Sequence, residues 1–257
     1  SRRRSCGRRL CTLTGMGDRY LGATELLDIA DPRVRAVGDR RGWPDLPVDA
    51  RIGAIYAFVR DEIPFGYNTS DDLPASAVLA DGYGQCNTKT TLLMALLRAN
   101  GIGCRFHGAT IDKQLQHGVM VGPFYWFAPR SIIHSWAEVF VGDRWVGLEG
   151  VILDEAYLAG LRTRIGNPAG PFLGYGVGTE DLADPPVDWT GTDTVIQATG
   201  VNADFGVFDD PDAFYRAHGV NARGIKGWLY RTIMRKAMNT RVNAIRRSAV
   251  PAGAVRN

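Results

Sequence analysis

Apolar residues along this chain follow two different rhythms. From Asp49 to Glu62 they fall at Ile52, Ile55, Tyr56 and Val59, one face of a helix that Asp49 would cap and Pro64 would end. A denser run from Thr90 to Ala99 predicts a second helix, starting at Cys86 and closed by Asn100-Gly101. The rhythm then shortens to two. Gly103–Ile111 reads as a strand, and Ile132–Val141 and Arg144–Glu149, separated by Gly142-Asp143, read as a hairpin. Shorter helices are expected at Leu21–Ala30, stopped by Asp31-Pro32, from Pro74 to Ala80, at Asp154–Leu161 and at Pro211–Ala217. A last helix, Asn221–Arg247, carries Ile225, Trp228, Leu229, Ile233, Met238, Val242 and Ile245 as a stripe between arginines. Residues 165–200 are rich in glycine and proline and lack a period, which predicts a long loop or lid.

Candidate chemistry centres on Gly82-Tyr83-Gly84-Gln85-Cys86. Two glycines free the backbone just before a cysteine that enters the first turn of a helix. There, unpaired N–H groups and the helix dipole favour a thiolate. Helical spacing stacks Cys86, Thr90, Leu93 and Leu97, so the sulfur faces inward, which is equally the position of a packed core cysteine. A histidine fixed by an acid separates the two readings, and the hairpin offers one. If Val141 pairs with Arg144, Trp136 lies opposite Glu149 and His134 opposite Val151. His134 and Glu149 are then diagonal neighbours about 7–8 Å apart, while Glu138 lies about 13 Å along the strand. Glu149 is the better orienter of the two. Asp154 is the fallback. Backbone N–H groups around Cys86 could hold an oxyanion, with Gln85 and Tyr83 as further candidates to bind substrate or oxyanion, and Trp136 would keep the histidine and acid dry.

The Gly-x-x-Cys helix start, followed by LLMALLRANGIGCR and HSWAEVFVGDRWVGLE, resembles the transglutaminase-like, papain-related superfamily over roughly residues 50–155. The resemblance implies an α+β, transglutaminase-core fold, with the nucleophile heading a central helix packed on an antiparallel sheet. It implies Cys86 as nucleophile, His134 as general base and acid, and Glu149 as orienting acid, where the family usually has aspartate. Catalysis would pass through an acyl-thioester on Cys86, resolved by water (hydrolase, amidase or protease) or by an amine (acyltransferase). Amide formation on carrier-bound acyl groups and a non-catalytic interaction module are the alternatives. The implied division is a basic flexible arm at 1–20, a catalytic core at 21–164, a loop or lid at 165–210 and a C-terminal helical extension at 211–257 packed on the core. A peptide, protein or acyl-amide substrate is expected, with no cofactor and no metal.

Charge changes this picture only at the ends. The formal net charge of +3 hides five arginines in residues 1–9 and nine Lys/Arg in 223–257, with no acid in either stretch. The remaining 16 basic residues face 27 acidic ones. Such ends either fold back on the acidic body or meet an acidic partner such as a carrier protein; no nucleic-acid motif is present. The four cysteines, Cys6, Cys11, Cys86 and Cys104, form no CxxC pair or metal-ligand spacing. No apolar run is long enough to span a membrane and no signal-peptide pattern opens the chain, so a soluble, cytoplasmic protein is expected. The aromatic window Met120–Phe127 is explained by core packing or as the wall of an acyl cleft. His107 is read as a strand residue of no special role, His117 as a surface residue or a rim contact, and His218 as a surface residue.

Overall fold

A computed structural model describes residues 18–120, 122, 125–126, 128–221 and 224–249; the basic arm through residue 17, with Cys6 and Cys11, and the extreme C-terminus lie outside them. The fold is α+β. Its centre is the helix Cys86–Ala99 (α4), which the chain surrounds instead of merely flanking: Asn87 through Arg98 are all buried. Hydrophobicity on every side is what a helix needs in that position, and Leu92, Leu93, Leu96 and Leu97 each contribute about 1.5–3 kcal/mol by leaving water. Helices Pro32–Arg41 (α1), Val48–Ala57 (α2) and Ala75–Asp81 (α3) cover one side of α4. A four-stranded antiparallel sheet covers the other.

That sheet runs in the order β3-β2-β1-β6, with β1 Cys104–Asp112, β2 Ser131–Val141, β3 Arg144–Gly147 and β6 Val201–Phe208. The hairpin register is the expected one, Val141 opposite Arg144, but β3 ends at Gly147 and the chain turns into a 3-10 helix, Glu149–Ile152. The pairs Trp136–Glu149 and His134–Val151 therefore do not form. Thr194 is the reason: its carbonyl takes the N–H groups of Glu149 and Gly150 (3.1 and 3.3 Å), drawing the chain off the sheet.

Three other expectations need correction. Asp31-Pro32 starts α1 instead of ending a helix, because Pro32 fits the first helical position and the Asp31 carboxylate accepts from the Arg33 N–H (2.8 Å). Asp49 lies inside the first turn of α2, not at its cap, which is Pro47, and the last five residues, Phe58–Glu62, form a π-helical turn. The loop expected at 165–210 is structured only in part, since residues 180–197 form no helix or strand. It holds the end of the helix Glu155–Ile165 (α5), a hairpin of Phe172–Gly174 (β4) with Val177–Thr179 (β5), and the edge strand β6. Short strands on glycine-rich sequence leave too little alternation to be read.

After Pro211–His218 (α6), the C-terminal helix runs as Gly224–Leu229 (α7), a π-helical turn Tyr230–Met234, and Arg235–Arg246 (α8). Met238, Val242 and Ile245 of the predicted stripe are buried, whereas Trp228 and Ile233 are exposed. Helix α8 packs on α5 so closely that a Cβ on Gly160 would lie 2.1 Å from the Ile245 carbonyl oxygen. Arg246 fastens the crossing by donating to both carboxylate oxygens of Asp154 (2.9 and 2.8 Å). Among the described residues no helix is long and apolar enough to cross a membrane.

Candidate active site

Cys86 is the first residue of α4, and its N-cap is built from the neighbouring side chains. The Gln85 N–H donates to Thr88 Oγ1 (3.0 Å), and the Gln85 side-chain oxygen accepts from the Asn68 N–H (2.6 Å). Asn87, the next residue, fastens the helix start to β2. Its Nδ2 donates to the Ile133 carbonyl (3.2 Å) and its Oδ1 accepts from Ser135 Oγ (2.9 Å), so the two bonds straddle His134. Thr90 adds a third, from Oγ1 to the Ser135 carbonyl (3.1 Å). The backbone N–H groups of Asn87 and Ser135 act on the sulfur in favour of its charged form. In this way the nucleophile candidate and the histidine strand are held as one unit.

His134 is fully buried, and its Nε2 lies 2.7 Å from Glu149 Oε1. The other Glu149 oxygen accepts from the backbone N–H groups of Ile196 (3.0 Å) and Gln197 (3.2 Å). Those bonds aim a carboxylate that the β3 register alone would not have delivered. Nδ1 of His134 is buried and has no hydrogen-bond partner among the described residues. An imidazole with one nitrogen tied to a carboxylate and the other free is set up to take or give a proton at the free one.

The other candidates divide. Glu138 does not serve His134: it bonds Arg105 (2.6 Å) and His107 Nδ1 (2.7 Å), while His107 Nε2 meets Asp204 (2.8 Å). Burial opposes charge on His107, but those two carboxylates outweigh it and raise its pKa. Asp154, the fallback, caps α5 and pairs with Arg246. Burial would raise its carboxyl, and Arg246 with Lys89 and the Phe65 N–H brings it below the usual range. Trp136 stacks on His107 (ring centroids 4.1 Å apart) and leans on the His134 ring (5.7 Å), so it backs the histidine and does not line the cavity described below. Tyr83 is elsewhere: its hydroxyl meets Arg235 and its ring covers Gly66. Gln85 does line the cavity, with its Nε2 donating to Asp71 Oδ1 (3.2 Å). In the aromatic window Trp126 is 79% exposed, which core packing does not explain, whereas Met120 lines the cavity.

The thiol is not lowered, as its place at a helix start suggested. Burial pushes it far above the ordinary thiol range, Asp71 and Glu149 add to this, and the N–H groups of Asn87 and Ser135 only partly offset it. Asp71 is the residue that sequence reasoning passed over inside the polar loop 67–73. It is buried and accepts four hydrogen bonds, from Gln85, from Asn87, and from the N–H and the side chain of Asn221, and among the described residues no basic side chain pairs with it. Nothing in the sequence shows that this loop folds over the start of α4 to meet residue 221.

Cys86 and Asp71 open on a cavity of about 560 Å³, within the range of small-molecule sites. Its walls are mostly apolar, and the C-terminal helix supplies Leu229, Tyr230, Met234 and Met238. Among the described residues no cluster of three or more His, Cys, Asp or Glu side chains is placed to hold a metal ion.

Residues 40–149 match the transglutaminase-like superfamily. In structure the chain is similar to one described as a putative cysteine protease from Cytophaga hutchinsonii, at 12% identity and a TM-score of 0.42, over 75% of this chain and 47% of that one. This chain thus spans about half of that neighbour's length. No curated protein matches.

Proposed function

With residues 40–149 forming a core of the transglutaminase-like superfamily, we propose that the chain is a cysteine acyl-enzyme. Cys86 is its nucleophile, His134 its general base and acid, and Glu149 the group that orients the imidazole. The observation that carries this reading is the buried His134–Glu149 pair with a free Nδ1, fastened through Asn87 to the helix that begins at Cys86.

Cys86 waits as a neutral S–H, and its proton passes to His134 Nδ1 as the sulfur attacks the carbonyl of an amide or ester. The Cys86 N–H, in the first turn of α4, is a donor for the resulting oxyanion. Collapse of that intermediate breaks the bond to the leaving group, which takes the proton from His134, and an acyl-thioester remains. Water or an amine then attacks the thioester, gives up its proton to His134 and regenerates the thiol. Asp71, whose carboxylate acts on the sulfur, disfavours a resting thiolate. A carrier-bound thioester as acyl donor is the second reading, favoured by the exposed Arg231, Lys236 and Arg241 on the helix that walls the cavity.

The test follows Cys86 acylation by an activated ester, by intact mass across pH 5–9, in wild type, His134→Ala, Glu149→Ala and Cys104→Ala. Loss of His134 should slow acylation by about a hundredfold or more, loss of Glu149 by less, and Cys104→Ala should leave it intact. Acylation indifferent to His134 would leave a non-catalytic module on the same fold.

A further inference from the structure

Away from the cavity, four charged side chains gather on the face of the sheet that carries His134. Pairing of β1 with β2 sets Arg105 opposite Glu138, His107 opposite Trp136 and Ala109 opposite His134, and alternation puts all of these on one face. Asp204 reaches His107 from β6. Both His107 nitrogens are taken: Nδ1 lies 2.7 Å from Glu138 Oε1, and Nε2 lies 2.8 Å from Asp204 Oδ1. A neutral imidazole has a single N–H, so only the imidazolium satisfies two carboxylates at once. Arg105 completes the cluster by donating to the other Glu138 oxygen (2.6 Å). Two cations then balance two anions, and the next charges along the sheet, Arg144 and Asp193, pair with each other (3.6 Å). What passes from the cluster to His134 is therefore packing rather than net charge. The His107 ring lies on the Trp136 indole, with 4.1 Å between centroids and 17° between planes, an arrangement that draws a cationic ring to an aromatic face. The same indole packs against the His134 ring at 5.7 Å and 40°. Glu149 fixes the place of Nε2. The tilt of the ring, which aims Nδ1, is left to the side chains packed on it, and Trp136 is one of them.

We propose that His107, as the imidazolium held between Glu138 and Asp204, is a positioning residue for the reaction: it pins the Trp136 indole, and the indole holds the His134 ring with Nδ1 aimed for proton transfer. The assignment rests on the acyl-enzyme reading above, since only there does the aim of Nδ1 matter. It gives the site a pH dependence of its own. The two carboxylates raise the pKa of His107 against its burial. The clamp therefore stays closed above the ordinary histidine value and opens as pH climbs through the raised one. Loss of the proton removes one carboxylate hydrogen bond and the cation–π attraction together.

The test measures the His134-dependent part of Cys86 acylation by p-nitrophenyl acetate from pH 6 to 10, as the rate in each protein less that in its His134→Ala counterpart. The sulfur displaces p-nitrophenolate and keeps the acetyl group, which intact mass reads directly. Subtraction removes direct attack by thiolate, which grows with pH in both. In the wild type the difference should fall by about tenfold as His107 loses its proton. His107→Arg supplies a planar cation that stacks and pairs with carboxylates without titrating, and should abolish that fall. His107→Leu should be slow at every pH and flat where the wild type falls. Lys89, which titrates at about 7, is common to all these proteins and cancels between them. In the wild type, nitrogen-15 NMR of the imidazoles should show His107 titrating at the midpoint of the fall, a reading that needs no variant at residue 107. The same fall in His107→Arg as in the wild type, a wild-type rate in His107→Leu, or separate midpoints would each overturn the proposal, and His134-dependent acylation would still leave the nucleophile standing. No His134-dependent acylation in the wild type at any pH would remove the acyl-enzyme reading and the proposal together.

Discussion

At the scale of single residues, the charge of Asp71 has a measurable consequence for its neighbour. Its carboxylate is one of the groups that raise the Cys86 thiol, after burial itself. Asp71→Asn removes that negative charge, so the thiol pKa should fall and the pH profile of Cys86 alkylation should move to lower pH. A profile that stays in place would deny the electrostatic coupling. The same site shows what a sequence can and cannot convey about individual positions. The places of Cys86 and His134 were legible because each depends on local pattern, a glycine-flanked helix start and a two-residue hairpin. Gln197, Asn221 and Asp71 were not, since each acts through a partner more than forty residues away. Glu149 was found through a pairing that does not exist; the backbone of residues 194–197, not the strand, brings it to His134.

Among the elements, the crossing of α5 and α8 governs the wall of the cavity. Gly160 permits it, because any Cβ there meets the Ile245 carbonyl. Gly160→Ala should therefore push the C-terminal helix outward and lower stability by about 1–3 kcal/mol, seen as a drop in the urea midpoint. An unchanged midpoint would mean that the helix yields without loss. Helices α2 to α6 and the central hairpin were readable from local pattern, whereas α1 was not: Leu21–Ala30, where a helix was expected, forms none, and the chain turns helical only from Pro32. The edge strand β6 was not. Its residues Phe205 and Val207 are exposed, and none of its positions is buried, so the run cannot alternate clearly.

For the molecule as a whole, the most consequential charge is one that the sequence hid. Lys89 lies on α4, is fully buried, and donates to the carbonyls of Arg60 and Ile152 (both 3.0 Å), joining the π-helical turn and the 3-10 turn after β3 to the central helix. Burial lowers its pKa to about 7, against the pull of Asp154 and Asp61. Below that value both folded and unfolded chains carry the proton. Between it and the ordinary lysine value only the unfolded chain does, so stability rises with pH across this window, by at most about 1.4 kcal/mol per unit. Unfolding free energies measured from pH 6 to 10 should show this slope in the wild type and lose it in Lys89→Met. Equal slopes in the two proteins would mean that the lysine does not titrate in the folded state.

Six of the residues around the cavity, Gln197, Asn221, Leu229, Tyr230, Met234 and Met238, come after the segment that matches the superfamily, whereas Cys86, His134 and Glu149 lie inside it. The C-terminal helix thus supplies one wall of a cavity whose other walls, Ile111, Met120 and Ile132 among them, lie in the same stretch as Cys86. A graft that exchanges residues 229–238 for another apolar helical segment of the same length would reshape that wall and leave Asn221 in place on Asp71.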